Sequence, residues 1–283
     1  MPSNSSTKPT VISITSGKGG VGKTLTSIHL AMNARRRGDR VLLLDGDLGL
    51  SNVDVVLGLK ARYNIKDVID GHATLKDIIL EGPYGVHIIP SGSGISSLTA
   101  LSHFQKQILL DQTRDIEGAY DTIFIDTGAG ISDCVMHFNR IADRVIVVTT
   151  PEPHAMTDAY AMIKVLNEQT ENPSVFLLIN QARSADESVK VFSRLAEVSQ
   201  RFLKLKIFHL GHIPYDPDVP MRVLKRRVAL SDVAHTLAGQ AWAQVAQKVS
   251  NVREAKNNFV HEKLDTWHRL LSGPPTLVST ASL

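Results

Sequence analysis

The segment from Val11 to Thr24, VISITSGKGGVGKT, constrains the fold of this chain more than any other. An apolar, β-branched run passes into a turn holding Gly17, Gly19, Gly20 and Gly22, and then into Leu25–Arg37, an amphipathic stretch of helical length. Strand, glycine turn and helix in that order make the first half of a βαβ unit. Glycine lets successive backbone N–H groups converge at the helix N-terminus, which is a site for an anion.

The rest of the chain repeats that alternation. Strand-like runs recur at Val11–Thr15, Arg40–Leu44, Val86–Ile89, Thr122–Ile125, Arg144–Thr149, Val175–Ile179 and Ile207–His212, with longer stretches such as Asp158–Gln169 between them. This predicts an α/β fold: a doubly wound, mostly parallel sheet of seven to eight strands with helices on both faces. The expected organisation is a polar, disordered tail over residues 1–9, one domain over 10–250, an amphipathic C-terminal helix over 251–272 and a loose tail over 273–283. Ligands of such sheets bind beyond the carboxyl ends of the strands, so functional residues are expected there.

Composition narrows the class. The apolar runs VLLL, VIVV and VFLLI are strand-sized, well short of the ~18 residues of a membrane span. The opening MPSNSSTKPT lacks the apolar core of a secretory signal, so the expected location is the cytoplasm. With 31 Lys+Arg against 28 Asp+Glu, net charge alone gives no ground for nucleic-acid binding. The single cysteine, Cys134, reads as a small buried residue.

The glycine loop satisfies two fingerprints. Gly17, Gly19 and Gly22 fit the dinucleotide pattern G-x-G-x-x-G, with Asp45 where a ribose-binding acid belongs, which would make the chain a dinucleotide-binding oxidoreductase. Gly17, Gly22, Lys23 and Thr24 also fit G-x-x-x-x-G-K-[ST], the mononucleotide P-loop. That longer pattern is favoured because it also accounts for Lys23, which neutralises β- and γ-phosphate oxygens, and for Thr24, whose hydroxyl binds Mg²⁺. Asp126, at the end of TIFID, is then the Walker B carboxylate, and ATP with Mg²⁺ are the expected ligands. Gly17, Lys18, Gly19, Gly20, Val21, Gly22, Lys23 and Thr24 form the cradle. After the second strand, Asp45 and Asp47 stand beside the phosphates as further candidates for the metal shell, the alternative being a polar turn in which one Asp caps the backbone. Gly128 and Gly130 give the loop after Asp126 freedom to reorganise.

KGGVGKT resembles the deviant Walker A motif of the MinD/ParA superfamily. The resemblance runs from Val11 to about Leu271 and implies a slow ATPase that is monomeric with ADP and a sandwich homodimer with ATP. It makes Lys18 a contact to the partner's nucleotide, Asp47 the residue that orients the attacking water, Asn180 the reader of the adenine edge, and the loop around Pro214 and Asp216, in GHIPYD, the border of the base. Within the superfamily, DLGLSNVDVVLGL, IKDVIDGHATLKDIIL and DTGAGI are most similar to the FlhG (FleN) family, which sets flagellar number and placement. That resemblance implies a FleQ-like flagellar transcriptional regulator, the GTPase FlhF, or both, as partners. Two departures stand out: Gly128 replaces a typical Ala, and MPSNSSTKPT carries no Asp-Gln-Ala element of the kind that stimulates FlhF. MinD-type division-site selection and ParA-type partitioning are the alternative functions.

Two further patches bear on partners. Val260, Leu264, Trp267 and Leu271 fall on one helical face, which reads either as a helix docked on the domain or as a peripheral membrane contact at the inner face of the cell membrane. Arg222, Lys225, Arg226 and Arg227 are the best candidates for a DNA or anionic-lipid patch, with a solvated helix face the favoured reading.

Overall fold

The computed structural model describes residues 8–47, 52–91, 102–113, 116, 118–254 and 266. Eight strands, β1 Thr10–Ser16, β2 Val41–Gly46, β3 Leu80–Glu81, β4 His87–Ile89, β5 Thr122–Ala129, β6 Arg144–Thr149, β7 Val175–Ala182 and β8 Phe208–Pro214, form one sheet in the order β3-β4-β2-β5-β1-β6-β7-β8. All neighbours are parallel except β3 against β4. The helices are α1 Lys23–Arg36, α2 Val53–Leu57, α3 Ile65–Ile69, α4 His103–Thr113, α5 Asp133–Ile141, α6 Pro153–Gln169, α7 Ala185–Val198, α8 Asp218–Leu224, α9 Leu230–Val233 and α10 Leu237–Glu254.

The sheet is buried on both faces, and alternate strand residues serve different cores. Ile12, Ile14, Leu43, Phe124 and Ile146 pack with α1 and α10. Val11, Leu42, Ile123 and Ile125 face the opposite way, toward Leu109 and Phe138, while Val145, Val147 and Leu177 meet α6 and α7 on that side. Two-sided burial explains why β6 is apolar without alternation. The amphipathic reading of the first helix does not hold: Thr26 through Ala34 are all buried, because α1 is held between the sheet and α10. The short antiparallel edge strand β3 was not predicted, since two residues carry no periodic signal.

Several strands run further than their apolar cores suggest. β2 reaches Gly46 and β5 reaches Ala129, with Asp45 in register opposite Asp126, so both acids lie inside hydrogen-bonded strands. Asn180 likewise sits within β7. Asp126 is paired on both sides, to Ile14 of β1 and Asp45 of β2, whereas Asn180 lies where the β7–β8 register shifts between Ile179 and Ala182. The proposed membrane face at Val260, Leu264, Trp267 and Leu271 lies outside the described residues, as do both tails apart from Lys8 and Pro9. Among the described residues no helix is long and apolar enough to cross a membrane.

Candidate nucleotide-binding site

The loop between β1 and α1 is shaped by close approaches that only glycine permits. A Cβ at Gly17 would lie 2.1 Å from the Asp158 carbonyl oxygen of α6, and one at Gly22 would lie 2.1 Å from Asn180 Nδ2. Gly22 is also in the left-handed region, at φ 88°, where it serves as N-cap of α1. No side chain caps that helix and no acid stands in its first turn. The first N–H groups of α1 therefore keep their partial positive charge for an external anion.

Beneath the loop, Lys23 Nζ stands 3.6 Å from Asp126 Oδ1, with Lys23 8% exposed and Asp126 fully buried. Ser27 Oγ donates to the same Oδ1 at 2.8 Å. Burial pushes the Asp126 carboxyl up, and the Lys23 charge with the Thr24, Ser27 and Lys23 donors pulls it back. Asp126 Oδ2 is buried without a hydrogen-bond partner. That oxygen is open to a further donor or cation. Mg²⁺ beside a nucleotide takes one or two protein oxygens together with phosphates and water. Thr24 and Asp126 are the residues that would hold it, and bound there the ion would neutralise charge building on the phosphate oxygens.

The two acids after β2 have different surroundings. Asp45 is buried; its Oδ1 accepts from the Asp47 N–H at 3.1 Å and its Oδ2 from Asn52 and Val53 at 3.0 and 3.1 Å. Burial pushes its carboxyl up to about 6, against those backbone N–H groups. This is the backbone-capping role for one of the pair, and it leaves Asp45 turned to its own loop, not presented to a ribose. Asp47 is half-buried; its Oδ2 accepts from Asn52 Nδ2 at 3.0 Å, and Oδ1 faces Gly128, where an added Cβ would sit 3.6 Å away. Of the two glycines beyond Asp126, only Gly130 has positive φ, at 85°.

On the base side, Asn180 Nδ2 donates to the Val21 carbonyl at 2.7 Å, tying β7 to the glycine loop. Its Oδ1 is the acceptor end of that amide. Thr150, Glu152, Gln181, Arg183 and Tyr215 line an open cleft of about 410 Å³ alongside. Pro214 ends β8 just before Tyr215, while Asp216 Oδ1 accepts from the Asp218 N–H at 3.1 Å and Oδ2 from the Ala238 N–H at 3.2 Å in the first turn of α10. Asp216 thus shapes the loop that follows β8. Lys18 turns outward to Glu152 at 3.2 Å, both side chains well exposed.

Sequence reasoning did not find Ser27, Asn52 or Glu152. Each is a common polar residue whose contact is set by tertiary packing, and only Asn52, five residues past Asp47, had a local signal. His209 of β8 is structural: it shares a 3.0 Å hydrogen bond with Ser188 and stacks on Phe192. Arg222 is not a free surface charge either, since it donates to the Asp232 carbonyl at 2.6 Å and contacts His235 at 3.1 Å. Cys134 is half-buried, its thiol pushed up to about 11 by burial and then by the Asp47 charge, which disfavours the thiolate.

Residues 9–177 match a family described as an AAA domain. The chain is similar to the antiactivator FleN of Pseudomonas aeruginosa, 43% identical over 241 residues that cover 85% of this chain and 86% of FleN. It is also similar to the flagellum site-determining protein YlxH of Helicobacter pylori, 36% identical, with 83% of this chain and 80% of YlxH covered. Among solved structures, the septum site-determining protein MinD complexed with Mg-ADP from Pyrococcus horikoshii superposes with a TM-score of 0.66 at 27% identity, covering 89% of this chain and all of that one.

Proposed function

The chain belongs to the FlhG/FleN family of MinD/ParA-like P-loop ATPases, and from that premise we propose that it is an ATP-dependent switch that regulates flagellar number and placement. It hydrolyses ATP with Mg²⁺, and the hydrolysis resets the switch. The observation that carries this reading is the Lys23–Asp126 pair lying directly beneath the uncapped start of α1. A fixed cation, a buried carboxylate and uncapped N–H donors at one helix start support a phosphate site there.

The roles divide as follows. Gly17 to Gly22 and the first turn of α1 bind the phosphates, Lys23 neutralises the γ oxygens, and Thr24 and Asp126 hold the metal shell. Asp47, kept in place by Asn52, orients the attacking water in line with the γ-phosphorus. Asn180 and the loop at Pro214 seat the adenine. Lys18 leaves Glu152 when a second copy docks, and reaches the partner's nucleotide. An exposed ion pair contributes about 1 kcal/mol or less, so the exchange is cheap. A FleQ-like regulator or the GTPase FlhF reads the ATP-bound dimer, and Val260, Leu264, Trp267 and Leu271 make the membrane contact.

Substituting Lys23→Ala tests the core of this proposal. Calorimetry should show ATP affinity falling at least about tenfold, the effect of about 1.4 kcal/mol, with no ATP-induced dimer. A Lys23→Ala chain that binds ATP like the parent and still dimerises would overturn the reading.

A further inference from the structure

Ser27 is a further residue of the site that neither the sequence pattern nor the P-loop roles assign. It lies one turn along α1 from Lys23, and its side chain is fully buried. A serine hydroxyl has one proton to give. Ser27 Oγ has two acceptors in reach, the Lys23 carbonyl at 3.1 Å and Asp126 Oδ1 at 2.8 Å. The charged acceptor at the shorter distance is the stronger, by roughly a factor of two for a charge-assisted bond. In a helix interior a serine normally back-bonds to its own chain, so commitment to a carboxylate on another element is informative.

The consequence falls on the other oxygen. With Lys23 and Ser27 both on Oδ1, the carboxyl group of Asp126 cannot rotate freely about its last bond. Oδ2 is left buried and without a hydrogen-bond partner, while Thr24 is near enough to favour the charged form without hydrogen-bond geometry to that oxygen. A buried carboxylate oxygen left unpaired is costly, so the arrangement is stable in service only if another donor or cation completes it. Ser27 thus selects which oxygen is offered.

We propose that Ser27 is a positioning residue that fixes Asp126 by Oδ1 so that Oδ2 is presented to the magnesium ion accompanying the nucleotide. The proposal rests on the Mg²⁺–nucleotide reading above. It concerns a partner that orients a metal ligand, an effect that typically changes metal affinity by about 10- to 100-fold when removed. Loss of the Ser27 hydroxyl should weaken the response to magnesium and leave metal-free nucleotide binding unchanged.

The test is a titration of MgCl₂ into the full chain with a fluorescent ADP, compared with ADP binding in EDTA. Ser27→Ala should raise the half-saturating Mg²⁺ concentration by about tenfold while ADP affinity in EDTA stays within about twofold of the parent. Ser27→Thr, which keeps the hydroxyl, should stay near the parent value. Ser27→Cys keeps the size with a weaker donor and should shift it in the same direction as Ser27→Ala, so a folding defect in one variant does not remove the test. An unchanged magnesium midpoint in Ser27→Ala or Ser27→Cys overturns the proposal, and so does an equal loss of ADP affinity in EDTA, which would make Ser27 a support of the loop alone. If the parent chain binds ADP identically with and without Mg²⁺, the metal reading itself fails; that result is seen before any variant is made.

Discussion

Gly19 and Gly22 stand three residues apart in one loop, yet the structure gives them different duties. Gly22 has φ 88° and a Cβ there would meet Asn180 Nδ2 at 2.1 Å, whereas Gly19 has no atom within 4 Å of an added Cβ and no positive φ. Gly22→Ala therefore strains the backbone by about 1 kcal/mol or more and also displaces the amide that ties β7 to the loop. It should lower the melting temperature by several degrees and abolish nucleotide binding. Gly19→Ala should melt like the parent in the absence of nucleotide. Thermal melts of both variants without ligand check this; equal destabilisation would mean that the loop is constrained as a unit and not at Gly22. Conversely, the Asp45 carboxylate, which the dinucleotide pattern would turn toward a ribose, is committed to the N–H groups of Asp47, Asn52 and Val53.

At the level of elements, α1 does two jobs that pull its sequence in different directions. Its N-terminus must stay uncapped for phosphate, and its body must fill the space between the sheet and α10. The second job places His29 in full burial, stacked on Trp242 of α10 at 3.9 Å and 10°, with both ring nitrogens and the indole N–H lacking hydrogen-bond partners. Burial drives the His29 imidazole from its ordinary 6.5 down to about 3, so it is neutral in the folded chain. The unfolded chain takes up that proton as pH falls below about 6.5, the folded chain does not, and stability is lost on acidification at about 1.4 kcal/mol per pH unit from 6.5 toward 3. Above 6.5 both states are neutral and the effect vanishes. His29→Leu should therefore lose about 2 kcal/mol less than the parent between pH 6.5 and 5, read from urea unfolding at the two values. Identical acid sensitivity would place the proton elsewhere. The same helix marks where the sequence was and was not legible. Its start was readable because glycine, lysine and threonine at fixed spacing serve local chemistry, and the parallel strands were readable because two-sided burial demands unbroken apolar runs. The α1–α10 contact was not, since a helix buried all round has no polar face to betray its orientation. Ser27 and Glu152 stayed hidden for a related reason: their partners lie 99 and 134 residues away in the chain.

For the whole molecule, the proposed switch needs a physical reason for two copies to pair when ATP is bound. Lys18 is exposed and paired to Glu152, itself exposed, at the rim of the cleft that also holds Gln181, Arg183 and Tyr215. The cation that a partner's nucleotide would need is thus already at the surface and only weakly held. Two bound triphosphates brought face to face repel strongly, and in the water-poor space between protomers a cation from each side counts for more than it does in solvent. Loss of Lys18 should thus leave each monomer's own ATP site intact and remove the charge compensation that the pair needs. Lys18→Ala is expected to bind ATP within about threefold of the parent, by calorimetry, while its ATP-dependent dimer, followed by light scattering, weakens by at least about tenfold. Lys23→Ala should fail at the earlier step, so the two lysines separate binding from assembly. Raising salt should mimic Lys18→Ala only in part, because a cation enclosed between protomers is screened far less than one at an open surface. A Lys18→Ala chain that dimerises with ATP as readily as the parent would show that assembly is driven by other contacts, and the surface pair with Glu152 would then be no more than a solvated ion pair.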